Sequence, residues 1–413
     1  MKKYIKLLTC ALTLSLGMFL GVPLRAADFG LILDQTAAYS GSQNNAAPHN
    51  AVPESDDALE YSGTLTPRFS VTGDKSGVYI SASAVVDWKD ETLRCVPELL
   101  RTEFFMNFGS GDFSVGRMSY ADPLGIVAAG LFDGAAVSLD VGEGSVKAGG
   151  WYTGFLYKER AHITMTQPEL ESYNTIIDYD NFADTYFAPR RALAMLGFEH
   201  QNLAEMVHVQ LSLLGQFDLN EKNTLNSQYV TAKISVPADS LIFSLGGCLE
   251  AMEYADDFKL ALAGELGVAW MFATSRLSLA ARYSSGVSED GSLMAFLPLT
   301  TVYQGNILKA KLSGLSVVSL DYLTRLHQIF AAGVTASCFL RSDLGTYNGY
   351  PINANAEDGY ILGTELFGRF LWSPISDIQV NLGGGGFIPA MGTVHRNAPI
   401  LWRVELNLIF ALY

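Results

Sequence analysis

The chain has 413 residues, and 27 basic against 42 acidic side chains give a formal net charge of −15. Hydrophobic residues make up 49% and charged residues only 17%, with 39 Gly against 14 Pro. Those values exclude a disordered chain, a collagen and a disulfide-stapled miniprotein, and a pI near 4.8 offers no basic footprint for nucleic acid.

The N-terminus reads as an export leader. Lys2, Lys3 and Lys6 form a positive region, Leu7 to Val22 is apolar without a charge, and Leu24, Arg25, Ala26 and Ala27 offer an imperfect small-residue cleavage site. Cys10 stands too early in the apolar run to be a lipid-anchored cysteine. Residues 1–27 are therefore expected to be a signal peptide. Its removal leaves 23 basic against 42 acidic side chains, a net of −19. Residues 28–413 read as one domain, with a first strand and loop over 28–60 and the main body over 61–413.

Beyond the leader no stretch offers the uninterrupted apolar run of a transmembrane helix. The dominant pattern has a period of two, the signature of strands. Leu65, Phe69 and Val71 alternate with Thr64, Thr66, Arg68 and Ser70. Val209, Leu211, Leu213 and Phe217 alternate with His208, Gln210, Ser212 and Gln216. Leu260, Leu262, Leu266, Val268, Trp270 and Phe272 oppose Lys259, Glu265 and Gly267. Near the end Leu366, Phe370 and Trp372 oppose Glu365 and Arg369, Val380 and Leu382 oppose Asn381, and Trp402, Val404, Leu406, Leu408 and Phe410 oppose Arg403, Glu405 and Asn407. These segments run about 10 to 15 residues, roughly double the usual strand length in soluble domains, and match strands that cross a bilayer at a tilt.

The connections alternate between short and long. Short ones include Thr72–Gly77, Gly109–Gly111, Gly142–Gly144, Gln201–Glu205, Pro237–Ser240 and Ser373–Ser376. Long ones are Thr36–Glu60, Met118–Leu131, Lys158–Arg190, Val287–Lys309, Ser342–Asp358 and Pro389–Pro399. Short periplasmic turns and long extracellular loops are the habit of outer-membrane barrels. Keeping the alternation consistent requires a first strand near Asp28–Gln35 and one long loop over Val287–Lys309. The expected fold is an all-β, transmembrane antiparallel barrel of about 18 strands, with 16 as the alternative count.

Gly116-Arg117, Asp122 and Leu131-Phe132-Asp133-Gly134-Ala135, followed by alternating Val137 and Leu139, resemble a pattern found in large outer-membrane porins and in the alginate-export type of barrel. The motif spans some two dozen residues, whereas the strand pattern spans nearly the whole chain. The resemblance implies a wide, monomeric or trimeric barrel that passes polar or anionic solutes. Tyr413 departs from the usual C-terminal signature, because it is out of phase with the outward Phe410 and Leu412.

No catalytic constellation stands out: there is no G-x-S-x-G elbow, no H-E-x-x-H and no phosphate-cradling glycine loop. Gly383–Gly386 lies inside a strand pattern, where glycine marks a bend or a close approach. Cys95, Cys248 and Cys338 are widely spaced, His49, His162, His200, His208, His327 and His395 are scattered, and neither set forms a metal motif. No cofactor, metal or enzymatic activity is expected.

If the apolar register faces lipid, alternation puts the opposite register in the lumen. Arg68, Arg101, Glu103, Arg117, Lys147, Arg191, Lys259, Glu265, Arg282, Glu365, Arg369, Arg403 and Glu405 are the expected pore-lining residues. An excess of cations there favours anions, while cross-strand Arg–Glu ladders are the structural alternative. Two loops are expected to narrow the pore or cover it. Met118–Leu131 is too apolar to extend into water, and Lys158–Arg190 carries Tyr173, Tyr179 and Tyr186 among carboxylates.

These readings combine into an outer-membrane channel for passive diffusion of small polar, anionic or saccharide-like solutes. Its partners would be outer-membrane lipid, the barrel-assembly machinery and the solutes, with no nucleic acid. A fatty-acid-type transporter for hydrophobic substrates, or a closed barrel serving as a surface adhesin, are the alternatives. The open or filled state of the lumen separates them.

Overall fold

The computed structural model describes residues 26–43, 58–89, 92–173, 175–220, 224–254, 257–288, 291–343, 359–390 and 398–412. The expected leader up to residue 25, parts of three expected loops (44–57, 344–358 and 391–397) and Tyr413 lie outside them. The strands are β1 (Ala26–Gln43), β2 (Ala58–Thr72), β3 (Ser76–Lys89), β4 (Thr92–Asn107), β5 (Gly111–Ala121), β6 (Ala129–Val141), β7 (Gly144–Tyr152), β8 (Arg191–Leu203), β9 (Val207–Asp218) and β10 (Leu225–Ala238). They continue as β11 (Leu241–Tyr254), β12 (Asp257–Phe272), β13 (Ser275–Ser284), the short ribbon β14 (Tyr303–Gln304) and β15 (Ala310–Lys311), β16 (Leu315–His327), β17 (Phe330–Arg341), β18 (Ile361–Ile375), β19 (Ile378–Pro389) and β20 (Ile400–Leu412).

All but the ribbon form one antiparallel sheet of 18 strands. Each strand pairs with its neighbour in sequence, and β1 pairs with β20 from Leu31↔Leu412 to Gln43↔Ile400. That last seam closes the sheet into a barrel and removes both edges. The count of 18 is the one that the alternation of short and long connections requires.

The two ends differ. At one end the connections are tight, such as 142–143, 239–240, 273–274, 328–329 and 376–377. Several place non-glycine residues in the left-handed region, including Glu205 at φ +70°, Asp239 at +53° and Ala273 at +48°, as the primed turns that match strand twist require. The other end carries the long connections 153–190, 285–314 and 342–360. The expected loop Val287–Lys309 lies within the single long connection 285–314, which also contains the ribbon.

Alternation sends large apolar side chains to the outer face, where they stay exposed. Phe29, Leu65, Leu213, Leu245, Leu266, Leu320, Leu366, Leu382, Leu406 and Leu412 are examples from around the circumference. A soluble barrel would bury that face. Outward aromatics gather toward the tight-turn end, where Trp270 meets Phe272, Phe272 stacks on Tyr322 and Phe330 meets Phe370 and Trp372. The band resembles the aromatic girdles of transmembrane barrels.

The inner face is divided by height. In the long-loop half, 122–128 and 285–314 fold into the barrel. Leu124, Ile126, Val127, Phe296, Leu299 and Leu312 pack there with inward Phe132, Trp151, Leu193, Leu214 and Tyr229. A second cluster joins Leu308 and Ala310 to Phe339, Leu362, Phe387 and Leu401. Of the expected loop Met118–Leu131 only 122–128 leaves the sheet and turns inward, one of the two arrangements its apolar content allowed, because Met118–Ala121 and Ala129–Leu131 pair as the ends of β5 and β6. The tight-turn half keeps a polar lining instead.

Candidate functional site

Charged side chains from neighbouring strands meet on the inner wall of the tight-turn half. Lys147 Nζ and His208 Nε2 flank Glu199 at 2.9 and 3.0 Å. Lys233 Nζ and Arg282 Nε flank Glu265 at 2.9 and 3.4 Å. Arg276 and Arg369 flank Asp321 at 3.5 and 2.7 Å, and Thr335 Oγ1 donates to the same carboxylate at 2.8 Å. In each group one carboxylate lies between two basic side chains. Where the imidazole of His208 is neutral, its group is balanced, and the other two still carry an excess cation. Arg276, Arg369 and Lys147 remain nearly half exposed, so water reaches this wall.

The remaining inward charges are mixed. Arg101 reaches Glu103 at 2.5 Å and lies over the Tyr79 ring, 5.1 Å from its centre. Arg403 has the opposite arrangement, bridging Glu60 at 3.3 Å and Glu405 at 3.0 Å. Arg68 lies beside Gly30, its register partner on β1. Lys259 is half-buried near the long-loop end of β12. Asn381, Asn407 and Asp34 continue the polar wall as a hydrogen-bonded ladder.

Three other expected pore residues, Glu365, Arg191 and Arg117, hold structure together, and Glu250 acts with them. Glu365 accepts hydrogen bonds from the backbone N–H groups of Asn306, Ile307 and Leu308 at 2.6 to 3.0 Å, which pins the 285–314 loop to β18. Glu250 does the same for Leu297 at 2.9 Å, and Tyr229 donates to the Leu297 carbonyl at 2.7 Å. Arg191 is 0% exposed and sits between Glu169 at 2.7 Å and Asp218 at 2.6 Å, tying the short helix Gln167–Tyr173 to the barrel. Arg117 changes face. Gly116 pairs with Gly134 opposite Trp151 on the inner register, and the next position places Arg117 with Asp133 and Tyr152 on the other one.

Arg117 and the 153–190 loop together close a gap in the wall. β4 and β5 pair only from Thr102↔Arg117 to Asn107↔Asp112, so the β4 edge from Thr92 to Arg101 has no strand beside it. Side chains take over its backbone groups, which would otherwise remain unsatisfied. Tyr179 hydroxyl donates to the Cys95 carbonyl at 2.5 Å and accepts from its N–H at 3.3 Å. Tyr186 donates to the Pro97 carbonyl at 3.0 Å. Arg117 donates to the carbonyls of Leu99 and Phe155 while forking onto Asp133 at 2.7 and 2.8 Å. Arg160 meets Glu98 at 3.1 Å. This gives the Gly-Arg … Phe-Asp-Gly motif a physical meaning. Gly116 has φ +119°, and an added Cβ would lie 2.0 Å from the Thr102 carbonyl oxygen, where the ladder stops.

Loop chemistry completes the picture. Asp122 accepts N–H bonds from Leu124, Val127 and Ala128, and burial raises its pKa against those bonds. Burial, followed by the nearby Arg160 charge, lowers the pKa of His162, which favours its neutral form. Among the described residues no group of His, Cys, Asp and Glu gathers to hold a metal, and Cys95, Cys248 and Cys338 are free thiols.

Lys233, Arg276, Asp321 and His208 were not among the expected pore residues. Lys233 was legible, since it alternates with Val230, Ile234 and Val236. The inward fold of 285–314 was also signalled by Met294-Ala295-Phe296-Leu297-Pro298-Leu299, which is too apolar for a solvated loop.

No protein-family model matches the sequence, and no curated protein does. Solved structures do resemble it in fold. OccK2 (OpdF) of Pseudomonas aeruginosa matches with a TM-score of 0.62 at 11% identity, covering 94% of this chain and 97% of its own. The outer membrane protein OpdK of the same organism matches with 0.60 at 11% identity, covering 93% and 98%. OccK2 has been crystallised in complex with glucuronate and OpdK with vanillate. The porin-type architecture that the motif resemblance implied is the architecture found.

Proposed function

We propose that this chain is an outer-membrane channel for passive diffusion of small polar solutes, with anions preferred. Residues 1–27 serve as the export leader and 28–413 as a single barrel domain. The observation that carries this reading is the water-reached inner wall, where Glu199, Glu265 and Asp321 each lie between two basic side chains. Charged groups in a confined passage set which ions enter. The outward apolar belt and its aromatic girdle support membrane insertion.

The fold neighbours add support for the solute class, since glucuronate and vanillate are both small carboxylates. In this reading Arg68, Arg101, Glu103, Lys147, Lys259, Glu265, Arg282, Arg369, Arg403 and Glu405 line the passage, joined by Lys233, Arg276 and Asp321. Arg117, Arg191 and Glu365 act on the loops and the wall.

Planar-bilayer recording of refolded protein under a KCl gradient tests the proposal. Stable conductance steps with an anion-favouring reversal potential are expected. Silence from protein shown to be folded and inserted would overturn the open-channel reading and favour a closed barrel that works through its outer loops.

A further inference from the structure

The barrel wall is plugged, not laddered, along part of β4. From Thr92 to Arg101 that edge has no strand beside it, and the sequence itself keeps a ladder from closing there. Pro97 stands in the middle of the edge and has no N–H to donate. Gly116 holds φ +119° and lets β5 turn away, where an added Cβ would strike the Thr102 carbonyl. Closure therefore falls to side chains of the 153–190 loop. The Tyr179 hydroxyl holds Cys95, the Tyr186 hydroxyl holds the Pro97 carbonyl at 3.0 Å, and Arg160 meets Glu98 at 3.1 Å. A few such contacts release far more readily than a continuous run of backbone pairs.

A path of rings runs through the plug. Tyr152 and Phe155 stand on its outer side, where Phe155 is 58% exposed and Leu93 and Leu99 continue the apolar face. Ring centres then follow one another, 4.9 Å from Tyr152 to Phe155, 6.5 Å to Phe187, 5.2 Å to Tyr186 and 4.9 Å to Tyr157. Tyr186 and Tyr157 are buried against Val85 and Val96, which pair on the inward register of β3 and β4. The path thus crosses from the outer face of the wall to its lumenal side. Charges stay beside it as pairs, Arg117 with Asp133 and Arg160 with Glu98. A hydroxylated or ionic body would lose hydrogen bonds to water along such a lining, whereas an alkyl chain exchanges bilayer for ring surface.

We infer that the β4–β5 gap is a lateral gate, through which the alkyl chain of a single-chain amphiphile passes between the bilayer and the lumen. The 153–190 loop is its leaf, and Tyr179 and Tyr186 are its latches. This route is separate from the charged wall and takes the apolar bodies that the wall disfavours. It requires the barrel to stand in a bilayer, but it requires no ion conduction.

Photolabelling of the full-length protein in phosphatidylcholine nanodiscs tests it. The probe is palmitate with a diazirine near its methyl end, and peptide mapping by mass spectrometry is the readout. Outward Leu245 and Leu266 report the label that the lipid-facing wall takes up. Label should also reach Val96, Tyr157 and Tyr186, which are buried and meet a bilayer chain only when the leaf opens. Combining Tyr179→Phe with Tyr186→Phe keeps both rings and removes both hydroxyls. That variant should raise the inner label about fivefold or more, the shift in an opening equilibrium from losing a hydrogen bond. Label absent from the three buried residues would overturn the inference. So would a rise of less than about twofold, too small for a lost hydrogen bond. If the double variant lacks the heat-modified mobility of a folded barrel, Tyr179→Phe alone, at a 61% exposed residue, decides by the same thresholds. Inner label in a barrel that is silent in planar bilayers would retain the gate and refute the channel; a conducting barrel without inner label would do the reverse.

Discussion

Replacing Arg191 by methionine isolates the attachment of the long loop. Arg191 is fully buried and faces Glu169, whose side chain is 11% exposed, and Asp218, whose side chain is 1% exposed. The 2.6 Å contact to Asp218 is off the N–H axis, so it acts as an ion pair, while Arg191 Nη2 makes an aligned hydrogen bond to Glu169 at 2.7 Å. Methionine fills similar volume but strands two carboxylates. Breaking a buried ion pair by removing one partner is destabilising by about 3–5 kcal/mol. The lower end applies here, because water can reach Glu169 once the helix Gln167–Tyr173 lifts. The barrel strands do not depend on that helix, so the loss falls on local opening of 153–190, whose population should rise by roughly 10² or more. Cleavage at exposed Glu171 by a glutamate-specific protease reads that opening when closing is faster than cleavage. A rate within twofold of wild type would refute the reasoning. Arg191→Lys should fall between, since one ammonium cannot span both carboxylates in the guanidinium's fork geometry.

Asp321→Asn removes the carboxylate between Arg276 and Arg369. A unit charge acting over roughly 8 Å of water contributes about 0.5 kcal/mol, of opposite sign for anion and cation, so the anion-to-cation permeability ratio should rise about fivefold, less at high salt, and an unchanged or cation-shifted reversal potential would contradict the proposed lining. Tyr186→Phe deletes the donor to the Pro97 carbonyl at the β4–β5 gap, and about 1 kcal/mol of protection should be lost in hydrogen exchange of β4 residues and not of β11. The Lys158 ammonium predicts a pH dependence of defined sign. Its folded pKa lies below the ordinary lysine value, so between the two the unfolded chain binds more protons and the loop gains stability as pH rises through that window. Glutamate-specific cleavage in 153–190 should slow as pH rises towards about 10.4, the ordinary lysine value, and a pH-independent opening would refute the assignment.

Individual elements show where local pattern sufficed. The first strand was expected near Asp28–Gln35, and β1 contains that segment but runs from Ala26, two residues inside the expected leader, to Gln43. Its second half, Thr36–Gln43, is small and polar and resembles loop, yet it is held in register by Arg403, Trp402 and Leu401 on β20, far along the chain. Arg117 shows the converse. Simple alternation placed it with Arg101, but the positive φ at Gly116 and the end of the β4–β5 ladder coincide there, and the side chain serves the wall. Lys233 and Glu265 each sat in a legible inward register, whereas their 2.9 Å contact depends on β11 lying between them with Gly246 as the intervening inward position.

Period-two alternation is a property of consecutive residues, because each pleat reverses the side-chain direction. The sequence alone therefore determined the strand class, the outward apolar face and the asymmetry of the two ends. Charge partners and loop placement are not local properties. Lys147 and Glu199 stand 52 residues apart, and Arg369 and Asp321 stand 48 apart. The 285–314 loop is held inward by carboxylates on β11 and β18. Strand pairing brings the charges within reach, since β7 pairs with β8 and both β16 and β18 pair with β17, while the curvature of the barrel lets β11 and β18 hold one loop. For that reason tertiary structure decided which charges face water, which are consumed as anchors and where the gap in the wall lies.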